Sequence, residues 1–200
     1  MMVGSLRNLQ ESVNCSMFYN QDLAYIHDQG FTDLARNAAR TVLELLKAEK
    51  IRNGLVIDLG CGSGVFAEKL THAGYDVLGI DISEAMLKMA RKRAPLGRFE
   101  RGSLFRAKLP DCVAVCAIGE GVNYLLDGEG ATKLRALFSR VHRALQPGGL
   151  FGFDIAGPEH SFKVSLLHSE GEDWAILVHK TGRFWCTRKR TFAEKFLRAE

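Results

Sequence analysis

The chain has 200 residues, 46% apolar and 25% charged, with a formal net charge of +4. That length suits one domain with a sizeable core, and the balance is ordinary for a globular protein. No uninterrupted apolar stretch approaches the roughly 20 residues needed to span a bilayer. Met1 to Glu11 lacks the charged-then-apolar order of a secretory leader, so the expected address is intracellular and cytoplasmic. The five cysteines (15, 61, 112, 116 and 186) make an odd count with no CxxC pair, which argues against a disulfide framework or a zinc site. Cys112 and Cys116 flank and enter an apolar run and read as small buried hydrophobes; no metal is expected.

The first thirty residues carry aromatic and polar side chains (Phe18, Tyr19, Tyr25, His27, Phe31) without a clean period. Asp33 to Glu49 then places apolar residues at 35, 38, 39, 42 and 46, the spacing of a helix. Asn53-Gly54 ends that region, and Leu55 to Leu59 follows as a short buried strand. A helix from about Val65 to Ala73 is closed by Gly74. Asp76 to Asp81 reads as a second strand. Ser83 is placed to cap a helix over Glu84 to Arg93, acidic at its start and basic at its end, as the helix dipole favours. Pro95-Leu96-Gly97 breaks that helix before a weaker strand, Arg98 to Arg101. A fourth strand covers Val113 to Ile118. Ala131 to Leu145 is amphipathic, with apolar residues at 134, 137, 138, 141 and 145. Pro147-Gly148-Gly149 then turns the chain into a fifth strand, Leu150 to Ile155.

Short apolar strands alternating with helices imply an α/β fold: a doubly wound, mostly parallel, Rossmann-like sheet with helices on both faces. Beyond residue 156 the pattern changes. Asp173 to Lys180 and Arg183 to Phe192, split by Thr181-Gly182, read as an antiparallel strand pair near the C-terminus. With no repeat or linker, the expected organisation is a single domain over 1–200, comprising an N-terminal helical cap (1–50), a ligand-binding core (51–156) and the antiparallel extension (157–200). Arg183 to Glu200 holds six basic and two acidic residues, so the other 182 residues balance at 21 of each sign. A basic tail can attract nucleic acid, but Arg188-Lys189-Arg190 beside a strand reads better as a protected sheet edge.

In doubly wound sheets, ligands bind beyond the carboxyl ends of the strands, where the strand order reverses. Gly60, Gly62 and Gly64 follow the first strand, where missing side chains let a ligand approach the backbone. Asp81 ends the second strand seventeen residues after Gly64, where a carboxylate can accept both hydroxyls of a ribose. Gly62-Ser63-Gly64-Val65-Phe66-Ala67 also fits the looser dinucleotide fingerprint. Asp58, just before the glycines, opposes that assignment, because it repels phosphate and attracts an ammonium. A ligand with a ribose at one end and a cationic amino acid at the other fits better.

Val56-Ile-Asp-Leu-Gly-Cys-Gly-Ser-Gly64 resembles the first motif of class I S-adenosylmethionine-dependent methyltransferases. Leu78-Gly-Ile-Asp-Ile-Ser83 resembles their acidic second motif, and Leu145-Gln-Pro-Gly-Gly-Leu150 the late turn before strand five. The likeness covers roughly residues 20 to 155, and Ala24-Tyr-Ile-His-Asp-Gln-Gly-Phe31 looks like the lead-in of small-molecule members. The resemblance implies S-adenosyl-L-methionine as cofactor, leaving S-adenosyl-L-homocysteine. It places Gly60, Cys61 and Gly62 along the methionine part, with Asp58 ordering the loop and its amino group. Asp81 takes the ribose, and Ile82 and Met86 pack on the adenine. After Gly102 the family often has Asp; this chain has Ser103, so Ser103 or the Leu104 amide stands in. Ala117, Ile118 and Gly119 border the methyl-donor end, and Tyr25, with Tyr19, His27 and Phe31, forms a lid. Each has a plainer alternative: Gly60 to Gly64 as a tight turn, Met86 as core, Asp58 as a helix cap and the aromatics as packing.

Methyl transfer from a sulfonium is an in-line displacement that mostly needs alignment and exclusion of water, with a base only where the acceptor loses a proton. Glu120 follows strand four and is the first candidate to orient or deprotonate an acceptor, with Asn123 and Tyr124 second; Glu120 as a helix cap and Asn123 as a structural residue are the alternatives. The Asn/Asp-Pro-Pro-aromatic signature of amino-methylating nucleic-acid enzymes is missing after strand four, which points to a small-molecule acceptor. Relatives usually close the sheet with a further helix and an antiparallel hairpin; either the strand pair here replaces that hairpin, or the chain is a C-terminally short form whose exposed edge invites a homodimer. A cofactor-binding but inactive or regulatory protein, and a nicotinamide-dependent oxidoreductase, are the competing expectations.

Overall fold

A computed structural model describes residues 21–119, 121–123, 130–154, 165–181 and 184–191. Two helices lead: α1 (Gln21–Gly30) and α2 (Asp33–Ala48). Strands and helices then alternate as β1 (Leu55–Leu59), α3 (Val65–His72), β2 (Asp76–Asp81), α4 (Glu84–Arg93), β3 (Arg98–Arg101) and β4 (Cys112–Ala117). A single 3₁₀ turn (Gly121–Asn123) precedes α5 (Gly130–Ala144) and β5 (Leu145–Phe153). Among the described residues, no helix is long and apolar enough to cross a membrane.

The five strands form a parallel sheet in the order β3-β2-β1-β4-β5. Chain order reverses between β1 and β4, so the carboxyl ends of those strands flank the crevice where ligands of such sheets bind. Alternation along the strands feeds two cores. Val56, Val77, Ala114 and Cys116 pack with Val42 and Leu46 of α2 and Phe66 and Leu70 of α3. Ile57, Leu78, Ile80 and Val115 face the other way, against Leu137 and Val141 of α5. A sheet covered on both faces needs strands that are apolar throughout, and β4 is buried along its whole length.

A second sheet, β6 (Ser165–Glu170), β7 (Trp174–Thr181) and β8 (Phe184–Thr191), is antiparallel in the order β6-β7-β8. Trp174 at the start of β7 is buried against Ile26 of α1. Its ring lies 6.4 Å from that of Phe31 and occupies the space a side chain at Gly30 would need.

Several expectations need correction. The lead-in without a clean period contains the helix α1, whose buried face is short: Ala24, Ile26 and Asp28. β4 starts one residue early, at Cys112, which is buried and turns its thiol to the Ala144 carbonyl. Pro147-Gly148-Gly149 is not a turn ahead of the fifth strand. β5 begins at Leu145, opposite Cys112, and these residues form a bulge before pairing resumes at Ala114 with Leu150. Gly148 supplies the positive φ of 80° there, as a bulge favours. Strand β6 carries no signal that set it apart in the sequence.

Candidate functional site

The loop from Gly60 to Gly64 joins β1 to α3 and is pinned at several points. Gly60 and Cys61 donate their backbone N–H groups to Ile80 O at 2.7 and 3.1 Å, so the loop leaves β1 leaning on β2. Gly62 N–H donates to Asp81 Oδ2 at 2.9 Å, while Ser83 N–H donates to Oδ1 at 2.8 Å. Asp81, rather than Asp58, therefore carries the side-chain bond that orders the loop. A carboxylate has about four acceptor positions, so Asp81 keeps capacity for a donor from outside the protein. Ser83 caps α4 as expected, its hydroxyl accepting from Met86 N–H at 3.3 Å.

The three glycines of the loop all have positive φ, 77°, 51° and 81°, but for different ends. A side chain at Gly60 or Gly62 would meet nothing within 4 Å, so those faces of the backbone open onto free space. At Gly64 a Cβ would lie 2.8 Å from Ala90 Cα. Its missing side chain makes room for α4 rather than for a ligand, which corrects the expectation that all three glycines line the pocket.

Asp58 sits on β1 beneath the loop at 2% exposure, and its Oδ2 has no hydrogen-bond partner. Burial, helped by the charge of Asp81, pushes its carboxyl up to about 7. It is not capping a helix; a buried acid with an open oxygen beside unfilled backbone is arranged to receive a donor. Asp81 is also raised, chiefly by burial, against the lowering effect of its N–H donors. Burial and the two neighbouring carboxylates push the Cys61 thiol well up, so it stays neutral.

The remaining predicted positions fall as follows. Ile82 is half-buried next to Asp81, and Met86 is only 2% exposed, one turn into α4. Gly102 N–H donates to Asp81 O, which brings the end of β3 to the site. The Ser103 hydroxyl accepts from Phe105 N–H and its carbonyl from Arg106 and Ala107, a tight turn that holds Leu104 half-buried. Ala117 is buried at the end of β4, Ile118 is half-buried and Gly119 is exposed with φ of 93°. Tyr25 is 41% exposed and donates to Asp173 at 3.2 Å, so its hydroxyl serves the packing of α1 on the second sheet. Glu120 and Tyr124 lie outside the described residues, as does Tyr19; for Asn123 only the backbone, in the 3₁₀ turn, is described.

Three contributors were missed. Asp154, just after β5, accepts from Gly119 N–H at 3.1 Å and fixes the loop after β4; an acid at a strand's carboxyl end was the available signal. Asp28 and Arg93 reach Ser63 from α1 and α4, which no local pattern announces. Among the described residues, no group of three His, Cys, Asp or Glu could hold a metal ion.

A family model described as a methyltransferase domain matches residues 56–149, the stretch from β1 to the bulge of β5. SAM-bound CalS10, an amino pentose methyltransferase from Micromonospora echinaspora, superposes with a TM-score of 0.66 over 88% of this chain and 84% of that one. At 20% identity, it shows the shared fold. Residues 56–149 carry a methyltransferase domain. The chain is 31% identical over 166 residues to the biotin biosynthesis bifunctional protein BioHC of Saccharophagus degradans. That match covers 80% of this chain and 27% of that protein. The 18S rRNA (guanine-N(7))-methyltransferase of Mus musculus is 28% identical, over 84% of this chain and 63% of its own length. The chain thus spans less than two thirds of either curated relative.

Proposed function

We propose that the protein transfers a methyl group from S-adenosylmethionine to a small-molecule acceptor. The observation that carries the cofactor assignment is the pair of acids on adjacent strands, Asp58 buried and Asp81 half-buried. Asp58 has an open oxygen, and Asp81 is already polarised by two backbone N–H groups. In this reading Asp58 receives the cofactor's ammonium and Asp81 receives the ribose hydroxyls. Gly60 and Gly62 give the methionine part access to the backbone, with Cys61 between them. Ile82 and Met86 line the adenine, held against it by Gly102, Ser103 and Leu104. Ala117, Ile118 and Gly119 border the methyl-donor end. The bound cofactor supplies an electrophilic methyl; the chain's own residues align the acceptor and exclude water. Glu120, Asn123 and Tyr124, after β4, are proposed to orient the acceptor, and α1 with Tyr25 to cover the site.

A nicotinamide cofactor fits poorly, because a pyrophosphate beside the loop would face the Asp58 carboxylate. A small acceptor is supported by the chain between Gly119 and Asn123, which lacks the Asn/Asp-Pro-Pro-aromatic run, and by the amino pentose specificity named for CalS10. The rRNA enzyme among the relatives makes RNA the competing acceptor. Transfer of a labelled methyl from S-adenosylmethionine to a panel of amino sugars, malonyl thioesters and total RNA tests the reading. Label in a small-molecule fraction, lost in Asp81→Ala, supports it; label in RNA alone contradicts it.

A further inference from the structure

The glycine loop is held from two sides. One hold is Asp81; the other comes from α4, at some distance from the acid pair. Because Gly64 has no side chain, the last turn of α4 approaches the loop at Ala90. Arg93 lies three residues further, on the same face of the helix. Its Nη1 donates to the Ser63 carbonyl and hydroxyl, each at 2.8 Å, and to Asp28 Oδ1 at 2.7 Å, while Nη2 donates to Asp28 Oδ2 at 3.0 Å. Two hydrogens on Nη1 are shared among three acceptors, so one guanidinium joins Ser63 and Asp28.

The partners are little exposed, Asp28 at 8% and Ser63 at 4%. Burial alone would push the Asp28 carboxyl up; the bonds from Arg93 and Ser63 outweigh it and hold the group below its usual range. A planar fork can bind both carboxylate oxygens and still reach a third residue, which an ammonium cannot. The exposed pair Arg36–Asp33 within α2 offers a contrast: it joins residues of one helix turn.

We propose that Asp28 and Arg93 are positioning residues, a latch that ties α1 to Ser63 and thereby sets the loop conformation that captures the cofactor. The proposal rests on the reading of Gly60 to Gly64 as the cofactor loop. It couples the docking of α1 to cofactor affinity, although neither side chain belongs to the acid pair.

The test compares Asp28→Asn and Arg93→Lys with Asp33→Asn as control. Hydrogen–deuterium exchange of residues 60–64 is followed in the free protein, and S-adenosylhomocysteine affinity by calorimetry well below each melting temperature. Both latch variants are expected to exchange the loop amides faster and to bind about tenfold more weakly, the worth of a charge-assisted hydrogen bond. Asp33→Asn is expected to change neither. Arg93→Lys keeps the charge, so it is expected to restore melting temperature toward wild type without restoring affinity, a split that a merely structural pair would not produce. Unchanged loop exchange and affinity in folded Asp28→Asn would overturn the latch. Loop exchange that responds to Arg93→Lys in a wild-type protein that binds no S-adenosylhomocysteine would keep the latch and reject the cofactor reading.

Discussion

Replacing Asp58 with Asn is expected to make the free protein more stable at pH 8 and to weaken its hold on the cofactor. The carboxyl is raised from 3.8 to about 7 by burial and by Asp81. The folded chain therefore binds this proton more tightly than the unfolded chain. Stability from this group is fully present below about pH 4, declines as pH rises, and is lost once pH passes about 7. A shift of about 3 pH units at 1.36 kcal/mol each makes the ionised carboxylate cost roughly 4 kcal/mol at pH 8. Asn keeps the shape and removes the charge but leaves a buried amide short of partners, a cost of roughly 1–3 kcal/mol. The net expectation is a stabilisation of roughly 1–3 kcal/mol at pH 8, or several degrees in Tm for a chain of this size. At pH 5 the wild-type carboxyl is already protonated and the advantage shrinks to about zero. Denaturation of both proteins at the two pH values reads this directly. An Asn variant that is less stable at pH 8 by as much as at pH 5 would refute the reasoning, since it would mean the carboxylate is satisfied inside the free protein.

The same titration governs binding: affinity for S-adenosylhomocysteine is expected to be about tenfold lower at pH 6 than at pH 8, and flat with pH in Asp58→Asn, by calorimetry. Gly64→Ala forces a Cβ against Ala90 at a φ of 81° and is expected to cost roughly 2–5 kcal/mol in urea denaturation. Gly60→Ala, at a φ of 77° with open space around the new carbon, is expected to cost only about 1–2 kcal/mol while weakening cofactor binding. Cys61, Cys112 and Cys116 are buried, with thiols raised by burial, so iodoacetamide at pH 8 is expected to leave their peptides unlabelled in the native protein and to modify them after unfolding.

How far the sequence revealed this arrangement depended on the range of the interactions involved. β1, β2 and α4 were readable to the residue because each carries its own signals: a continuous apolar run, an acid at the strand end, and a Ser cap paid out by basic residues in the last turn. α1 was not readable, since its buried face is set by contacts with Trp174, about 150 residues away in the chain, and with Arg93. The bulge at Gln146 to Gly149 looked like a turn because Pro-Gly-Gly has the same local chemistry in both settings; only the pairing with β4 distinguishes them. Within the site, the types and order of Asp58, the glycines and Asp81 were legible. The division of labour was not: Gly64 serves α4, Asp81 holds the loop, and Asp58 is left with an open oxygen. Those assignments depend on which helix packs behind the loop, and no local pattern encodes that.

Calorimetric titration of the wild-type protein with S-adenosylhomocysteine, with NADH run alongside, tests the central claim most directly. Micromolar binding of S-adenosylhomocysteine, lost in Asp81→Ala and absent for NADH, is the expected result. Binding of NADH with no response to S-adenosylhomocysteine would contradict the account.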